Sequence, residues 1–373
     1  MRELSKPVFV TIDPAATEAD LIARYEASSG KTLYPAQIER LFIDLIAYTR
    51  SRVDMAIQNA GEQLLVRFAN GVILDYLGEL VATPRLLATS ARCQIRFSLP
   101  AVSTQPVYIA AGTRVSTQDG KLTFTTDQAV TIAAGQLQVD VAATCLTAGT
   151  QGNDWALGQI SVISNTPVAA LVASNITVTS EGAEDEEDDR YRERIILAPE
   201  AFSNAGSRGA YRYHALAVHQ SIIDVAVHGP DEGQQDGHVA LYPLTSTGLP
   251  SADLLEQVKS TVSGEKVRPL CDTVHALMPV EVPYTIRAQL TFYDTAEQSE
   301  VLAAAVSAAT AYAADRRSKL GLDLVPEQLT AALQVEGIYR AVLEFPGALR
   351  ELQGNEWANC TGIELVPAGV AYG

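Results

Sequence analysis

The sequence predicts a multidomain α+β protein: long helices at the N-terminus, an antiparallel β-sandwich-like domain, then two small α+β modules. Three observations carry this. Over the first quarter of the chain, apolar residues recur at helical spacing. From Cys93 to about residue 178 the period drops to two. From Ile222 onward, strand patterns alternate with helical ones. The length of 373 residues leaves room for roughly two to four domains, enough to bury cores without staples. Boundaries follow the changes of period. Residues 1–90 form a helical, bundle-forming region, and 91–179 an antiparallel β domain. Residues 180–280 hold an acidic joint helix and the first α+β module, and 281–373 the second module.

The N-terminal helices come first. Pro35 suits a first helical turn, where its missing N–H would have no partner anyway. Ile38, Leu41, Phe42, Leu45 and Ile46 follow at helical spacing. Val53, Ala56, Ile57 and Ala60 continue the stripe, and Leu64, Leu65 and Phe68 extend it past Gly61. Roughly seven turns is about twice the usual length in one globular domain. Such a stripe packs on its own domain or joins helices of other subunits in a bundle. A second stripe, Leu74, Leu77, Leu80 and Val81, ends at Thr83-Pro84.

In the β domain, Ile95, Phe97 and Leu99 alternate with Gln94, Arg96 and Ser98. Short runs follow over 107–109, 113–115, 122–124, 137–141, 160–162 and 176–178, punctuated by glycines. Short alternating strands between glycine turns read as an antiparallel sandwich or barrel-like domain with one dry face and one wet face.

An acid run then passes straight into Arg190, Arg192 and Arg194. Acids before bases is the order a helix dipole favours. Glu186–Arg190 and Asp188–Arg192 have the spacing of i,i+4 pairs, so a charged, solvated helix start is expected here. Pro199 interrupts it, and a further helix is expected over 206–219. The first module reads as strands over 222–227 and 238–242 around a glycine-rich loop, a helix over 252–262 and a strand over 273–277. The second reads as a strand over 282–292, helices over 297–317 and 326–335, and strands over 339–345 and 361–366. Both are expected to be a helix pair on an antiparallel sheet.

Charge excludes some functions. With 27 basic and 44 acidic residues, the net charge of −17 argues against nucleic-acid partners, which need cations to displace phosphate counterions. It argues equally against docking on an anionic membrane. Charged residues make up 19%, below the roughly 25% usual for soluble domains, which leaves surface to bury against partner chains. The longest apolar run, near 168–173, is strand-sized, and no run approaches the roughly 18 residues of a membrane helix. Residues 1–13 do not read as a signal peptide. Cys93, Cys145, Cys271 and Cys360 lie far apart without a CxxC, which reads as reduced thiols in a cytoplasm.

Motifs for chemistry are weak. Gly30-Lys31-Thr32 ends like a phosphate-binding loop, but Tyr25 stands where the motif needs glycine. His214, His219, His228 and His238 cluster in sequence with Asp231 and Asp236, yet at no metal-ligand spacing. Seven acids in nine residues suggest calcium or a carboxylate pair, but a contiguous solvated run lacks the separated environments that catalytic pairs need. Gly206-Ser207-Arg208-Gly209 is not a GxSxG elbow. The expectation is no catalytic residue, no cofactor and no metal.

Gly182, several acids including Asp188, and then Tyr191-Arg192-x-Arg194-Ile195 resemble the signature of the baseplate J-like family, wedge proteins of contractile phage tails and related injection machines. The step 205–207 followed by Ala210-Tyr211 is similar to the next family element. Weaker echoes run from Leu74-Asp75 and Arg85, through Ala111-Gly112-Thr113, Gly149, Gly152-Asn153 and Arg268-Pro269, to Val335-Glu336-Gly337-Ile338. Where the family usually places Ser or Thr as a helix cap this chain has Glu187, so Asp185 or Asp188 is expected to cap instead.

The resemblance implies a structural, non-enzymatic wedge protein. Two copies would join a smaller companion wedge protein around a helical core. Outer domains would contact neighbouring wedges, and hub or sheath-side baseplate proteins, closing a six-fold ring that rearranges on contraction. It would be built in the bacterial cytoplasm and reside in the baseplate of a virion or tail particle. The residues expected to carry interactions are Ile38, Leu41, Phe42, Leu45, Ile46, Val53 and Ile57 on the stripe, with Gly182, Asp188, Tyr191, Arg192 and Arg194 at a joint between the β domain and the modules. The competing classes are a tail-associated glycan-binding adhesin and a carboxylate-based glycoside hydrolase. An adhesin would bind cells as an isolated chain, and a hydrolase would lose activity on Asp or Glu substitution.

Overall fold

A computed structural model describes residues 5–164, 170–202, 206–265 and 267–372. The start of the apolar run at 168–173, and Ala205 of the 205–207 step, lie outside the described residues. The chain divides into two compact units, Met1–Pro84 with Tyr191–Ile196, and Arg85–Arg190 with Leu197–Gly373.

The first unit is helical. Helix α1 (Pro14–Ser29) is started by the Asp13 side chain, which accepts the Ala16 N–H, and stopped by Gly30 in the left-handed conformation. Gly30-Lys31-Thr32 therefore follows a helix C-terminus, where carbonyls rather than N–H groups are left over. That is the wrong end for a phosphate. Helix α2 (Ile38–Gln63) begins three residues after Pro35, so this proline sits in the preceding turn and not in the first helical turn. The helix stops before Leu64, and Leu65 and Phe68 lie in a separate turn. Helix α3 (Gly71–Glu79) follows. Leu74 and Ala69 pack with Tyr191 and Ile195 in this unit's own small core.

The second unit opens with a nearly closed antiparallel barrel. Its strands are β1 (Ser90–Ser98), β2 (Val107–Ile109), β3 (Arg114–Thr117), β4 (Thr123–Thr126), β5 (Val130–Ile132), β6 (Gln138–Ala148), β7 (Ile160–Ile163) and β8 (Val172–Asn175). The main sheet runs β7-β3-β4-β6-β1-β8, and β2 pairs with β5. Alternation in β1 sends Ala91, Cys93, Ile95 and Phe97 inward, where they meet Ile109, Val115, Phe124 and Ile160. The last strand was expected over 176–178 and is found at Val172–Asn175. Asn175 is the reason. Its side chain donates to the Ala156 and Thr177 carbonyls and accepts the Ile160 N–H, which pins the chain where the strand ends.

Helix α4 (Asp188–Leu197) follows, then α5 (Arg208–Leu216), β9 (Ile222–His228), β10 (His238–Thr245), α6 (Ala252–Val262) and β11 (Thr273–Ala276). The last module holds β12 (Val280–Tyr293), α7 (Gln298–Arg317), α8 (Pro326–Leu333), β13 (Ile338–Phe345) and β14 (Glu356–Ala371). Each module is a helix pair on a three-stranded sheet, but the sheets are mixed, not antiparallel. β10 pairs with β11, and β12 with β14, in parallel. Parallel neighbours need a long crossover, which α6 supplies in the first module and α7, α8 and β13 in the second. The two modules have cores of their own, around Leu241 and Val258, and around Ile286 and Leu329.

Candidate assembly surface

Among the described residues, helix α2 exposes many large apolar side chains. Its buried positions are Ile43, Ala47 and Asp54. Asp54 is held by Arg50 one turn earlier, and the Phe9 ring lies against Gly61. All seven stripe residues singled out from the sequence reach solvent. Ile38, Leu41, Phe42, Leu45, Ile46, Val53 and Ile57 are each between 46% and 69% exposed. A single exposed leucine is ordinary, but a contiguous stripe of large apolar side chains is not. Periodicity alone missed the inner face, since a helix with two apolar faces shows the same spacing on both.

The acidic segment is less solvated than expected. Gly182 has no room for a side chain, because a Cβ there would meet the Gly149 carbonyl oxygen. Its backbone is clasped by Asn153, which donates to the Gly182 carbonyl at 2.7 Å and accepts its N–H at 2.8 Å. Glu184 accepts from the Thr150 N–H and hydroxyl, which hold its carboxyl below the usual range. Asp185 accepts the Ala88 N–H. Glu186 lies two residues ahead of α4, is buried, and accepts the Leu86 N–H. The segment also makes contacts far away in sequence. Asp188 pairs with Arg85 at 2.7 Å, and Arg190 donates to the Gln220 and Ile222 carbonyls. A cavity of about 470 Å³ is lined by Glu181, Glu184 and Glu187 with Arg190, Ser221 and Ser251. The Glu181 carboxylate in it accepts the Ser251 hydroxyl.

Residues Tyr191–Ile196 belong to the helical unit. Tyr191 is fully buried and donates to the Thr83 carbonyl at 2.7 Å. Arg192 donates to the Val66 and Ala69 carbonyls at 3.0 and 2.8 Å and to the Asn70 side chain. Arg194 donates to the Pro84 carbonyl at 2.7 Å, with its guanidinium 5.7 Å from the Tyr191 ring centroid. Turns after helices leave carbonyls without backbone donors, and a fixed fork of N–H groups satisfies them. Arg194→Ala should therefore cost about 1–3 kcal/mol for the carbonyl it strands, since Arg194 is buried. The loss should appear as a lower melting temperature of the helical unit, and an unchanged melt would reduce the contact to decoration.

The histidines that cluster in sequence scatter in space. His219 Nδ1 accepts the Ser221 N–H at 3.1 Å, so the Nε2 proton faces the Thr89 hydroxyl at 3.0 Å. His228 packs on Tyr242, and His238 meets His275, which lies 37 positions later. Among the described residues, no group of three or more His, Cys, Asp or Glu side chains is placed to hold a metal. Burial lowers the affinity of His214, His219 and His228 for a proton. The unfolded chain then binds more protons than the folded one once pH drops below about 6.5, so stability falls as pH falls. His219→Gln should flatten that loss in thermal melts between about pH 7 and 5, and a parallel slope would show that His219 contributes nothing to it.

Comparisons with known proteins give one direction. Three family models match in order: the Baseplate J-like protein barrel domain over residues 94–182, the Baseplate J-like central domain over 203–278, and the Baseplate J-like protein C-terminal domain over 284–366. Baseplate protein J of Escherichia phage P2 is 34% identical over 219 residues, 58% of this chain and 71% of that protein. A chain in the six-fold symmetrised cryo-EM structure of the anti-feeding prophage baseplate is similar over 92% of this chain and 90% of that one, at 13% identity and a TM-score of 0.46. The chain belongs to the baseplate J-like family of structural baseplate proteins of contractile tails.

Proposed function

We propose that the chain is a wedge protein of the baseplate. Two copies join a smaller companion wedge protein around a shared helical core, to which α2 contributes its outer face. The barrel and the two modules contact neighbouring wedges, and hub or sheath-side proteins, so that six wedges close a ring. Contraction then rearranges these interfaces without covalent chemistry, metal or cofactor. Residues 1–90 act as the bundle region, 91–179 and 281–373 as outer faces, and 180–280 as the joint with its module. The particle is assembled in the bacterial cytoplasm, and the chain stays in its baseplate.

One observation carries this reading: the 26-residue helix α2 exposes seven large apolar residues between Ile38 and Ile57. Burying each Leu or Ile of such a face contributes about 1.5–3 kcal/mol, so several together exceed the cost of bringing chains together. The joint residues Gly182, Asp188, Tyr191, Arg192 and Arg194 have another role in this reading, holding the segment rigid while partners are exchanged. Co-expression with the neighbouring tail proteins, followed by size-exclusion chromatography with mass measurement, tests it. A complex of two copies and one smaller chain is expected. A monomer that retains no tail protein would overturn it.

A further inference from the structure

The sheet of the last module runs β13-β12-β14, so β13 is an edge strand. A few bonds fix the direction of its main-chain groups. The Tyr293 N–H donates to the Gly337 carbonyl, and the Val280 and Asp294 N–H groups donate to the Asn355 and Ala371 carbonyls. Successive residues of a strand send their N–H and C=O groups to opposite sides. Odd-numbered residues of β12 therefore bond to β13, and even-numbered ones to β14. Arg340 and Val342 stand opposite Thr291 and Gln289, so their main-chain groups face β12. Ala341 and Leu343 turn theirs outward, about 7 Å apart. The two breaks of register in β13 fall at residues 339 and 344, on either side of this stretch.

Edges are normally blunted, because an open row of donors and acceptors pairs with any free strand. Other edges of the two modules follow that rule. On β9, the Ile222 and Val225 carbonyls accept from Arg190 and Arg212. β14 carries Pro367, which has no N–H to offer, and its Glu356 carbonyl accepts the Gly321 N–H. On β13, the Gln334 amide reaches the Ile338 and Tyr339 carbonyls and no further. Among the described residues, nothing bonds to the outward groups of Ala341 and Leu343.

A groove of about 610 Å³ lies beside this edge. Ala341 and Leu343 line one side of it, and Pro326, Thr330 and Ala331 of α8 the other. An added strand needs only about 4.8 Å from its neighbour, which suits a single extended segment. A second copy of the whole sheet would bring its own α8 against this one. The charged residues of the lining are one acid, Glu327, and one base, Arg340, so it has no net charge to attract a strongly charged guest.

We propose that β13 takes up an extended, weakly charged segment of another baseplate protein as a fourth strand, in the groove between its outer edge and α8. This deepens the reading of the second module as an outer contact face and rests on it. The guest's main chain bonds to Ala341 and Leu343, and its alternate side chains meet Pro326 and Ala331.

Hydrogen exchange read by mass spectrometry tests it, on the full chain alone and in the complex co-expressed with the neighbouring tail proteins. The Ala341 and Leu343 amides should exchange about tenfold slower or more in the complex, as amides do once hydrogen-bonded. Ala341→Pro removes an outward N–H that β12 does not use, at a place where an edge strand tolerates proline. That variant should keep the wild-type melt and hold its partner about tenfold more weakly. Val342→Pro, which strikes the ladder with β12, should instead lower the melting temperature. Exchange of the wild-type chain carries the test even where Ala341→Pro unfolds the module. An intact complex in which both amides exchange as in the free chain would overturn the edge site and leave the wedge reading standing. Slowing that appears in the isolated chain as its concentration rises would give the edge to a second copy, and overturn the proposal as well. A chain that joins no tail protein would overturn both readings.

Discussion

Tyr191→Ala is expected to destabilise the helical unit by about 3–5 kcal/mol, the usual cost of emptying a buried aromatic site. Tyr191 is fully buried among Ala69, Leu74 and Ile195. Its hydroxyl donates to Thr83, and its ring lies under Arg194. Truncation would open a cavity, strand a carbonyl and release a guanidinium at once. Tyr191→Phe separates these effects, because it keeps the ring and should cost only about 1 kcal/mol. Gly78 gives the reciprocal test. A Cβ there would fall on the Tyr191 hydroxyl and 2.6 Å from the Thr83 carbonyl oxygen. Gly78→Val should therefore approach the severity of Tyr191→Ala. Thermal or urea melts followed by circular dichroism would show the order Tyr191→Ala, Gly78→Val, then Tyr191→Phe. Equal small effects would mean that the site collapses freely.

Leu45→Asp should abolish association and leave the isolated chain folded. Leu45 is 60% exposed, so the free chain should lose no more than about 0.5 kcal/mol. Once the face is covered, the new carboxylate has no partner. An uncompensated buried charge costs about 3–5 kcal/mol, which weakens binding by roughly two to four orders of magnitude. Co-purification measures the first effect, and circular dichroism the second. Retained binding with a collapsed melt would make the stripe internal core and remove the basis for the bundle.

Local rules made much of the fold readable. Helix α6 falls on the residues 252–262 where a helix is expected, and its Ser251 cap accepts the Leu254 N–H as such caps do. The alternation in β1 survives as Ala91, Cys93, Ile95 and Phe97 inside the barrel. What stayed hidden has two physical sources. Main-chain acceptors have no letter in a sequence, so nothing announced that Arg190, Arg192 and Arg194 would reach for carbonyls. Strand direction is decided by crossovers, so the parallel pairing of β12 with β14 needed the whole path through α7, α8 and β13. The site was legible as a stripe but not as a side. The pattern found Ile38, Phe42 and Leu45, while Ile43 and Ala47 are the residues turned inward.

The apolar stripe along α2 bears on how ionic strength acts. Two chains of net charge −17 repel each other as whole bodies, and mobile ions shorten that repulsion to about 8 Å at physiological ionic strength. The stripe residues Ile38, Leu41, Phe42, Leu45, Ile46, Val53 and Ile57 offer no Coulombic attraction for the same ions to weaken. Salt therefore lowers the opposing force and leaves the favourable one untouched. Apolar faces meet most easily where counterions are abundant, and strong dilution into pure water becomes the natural way to part them.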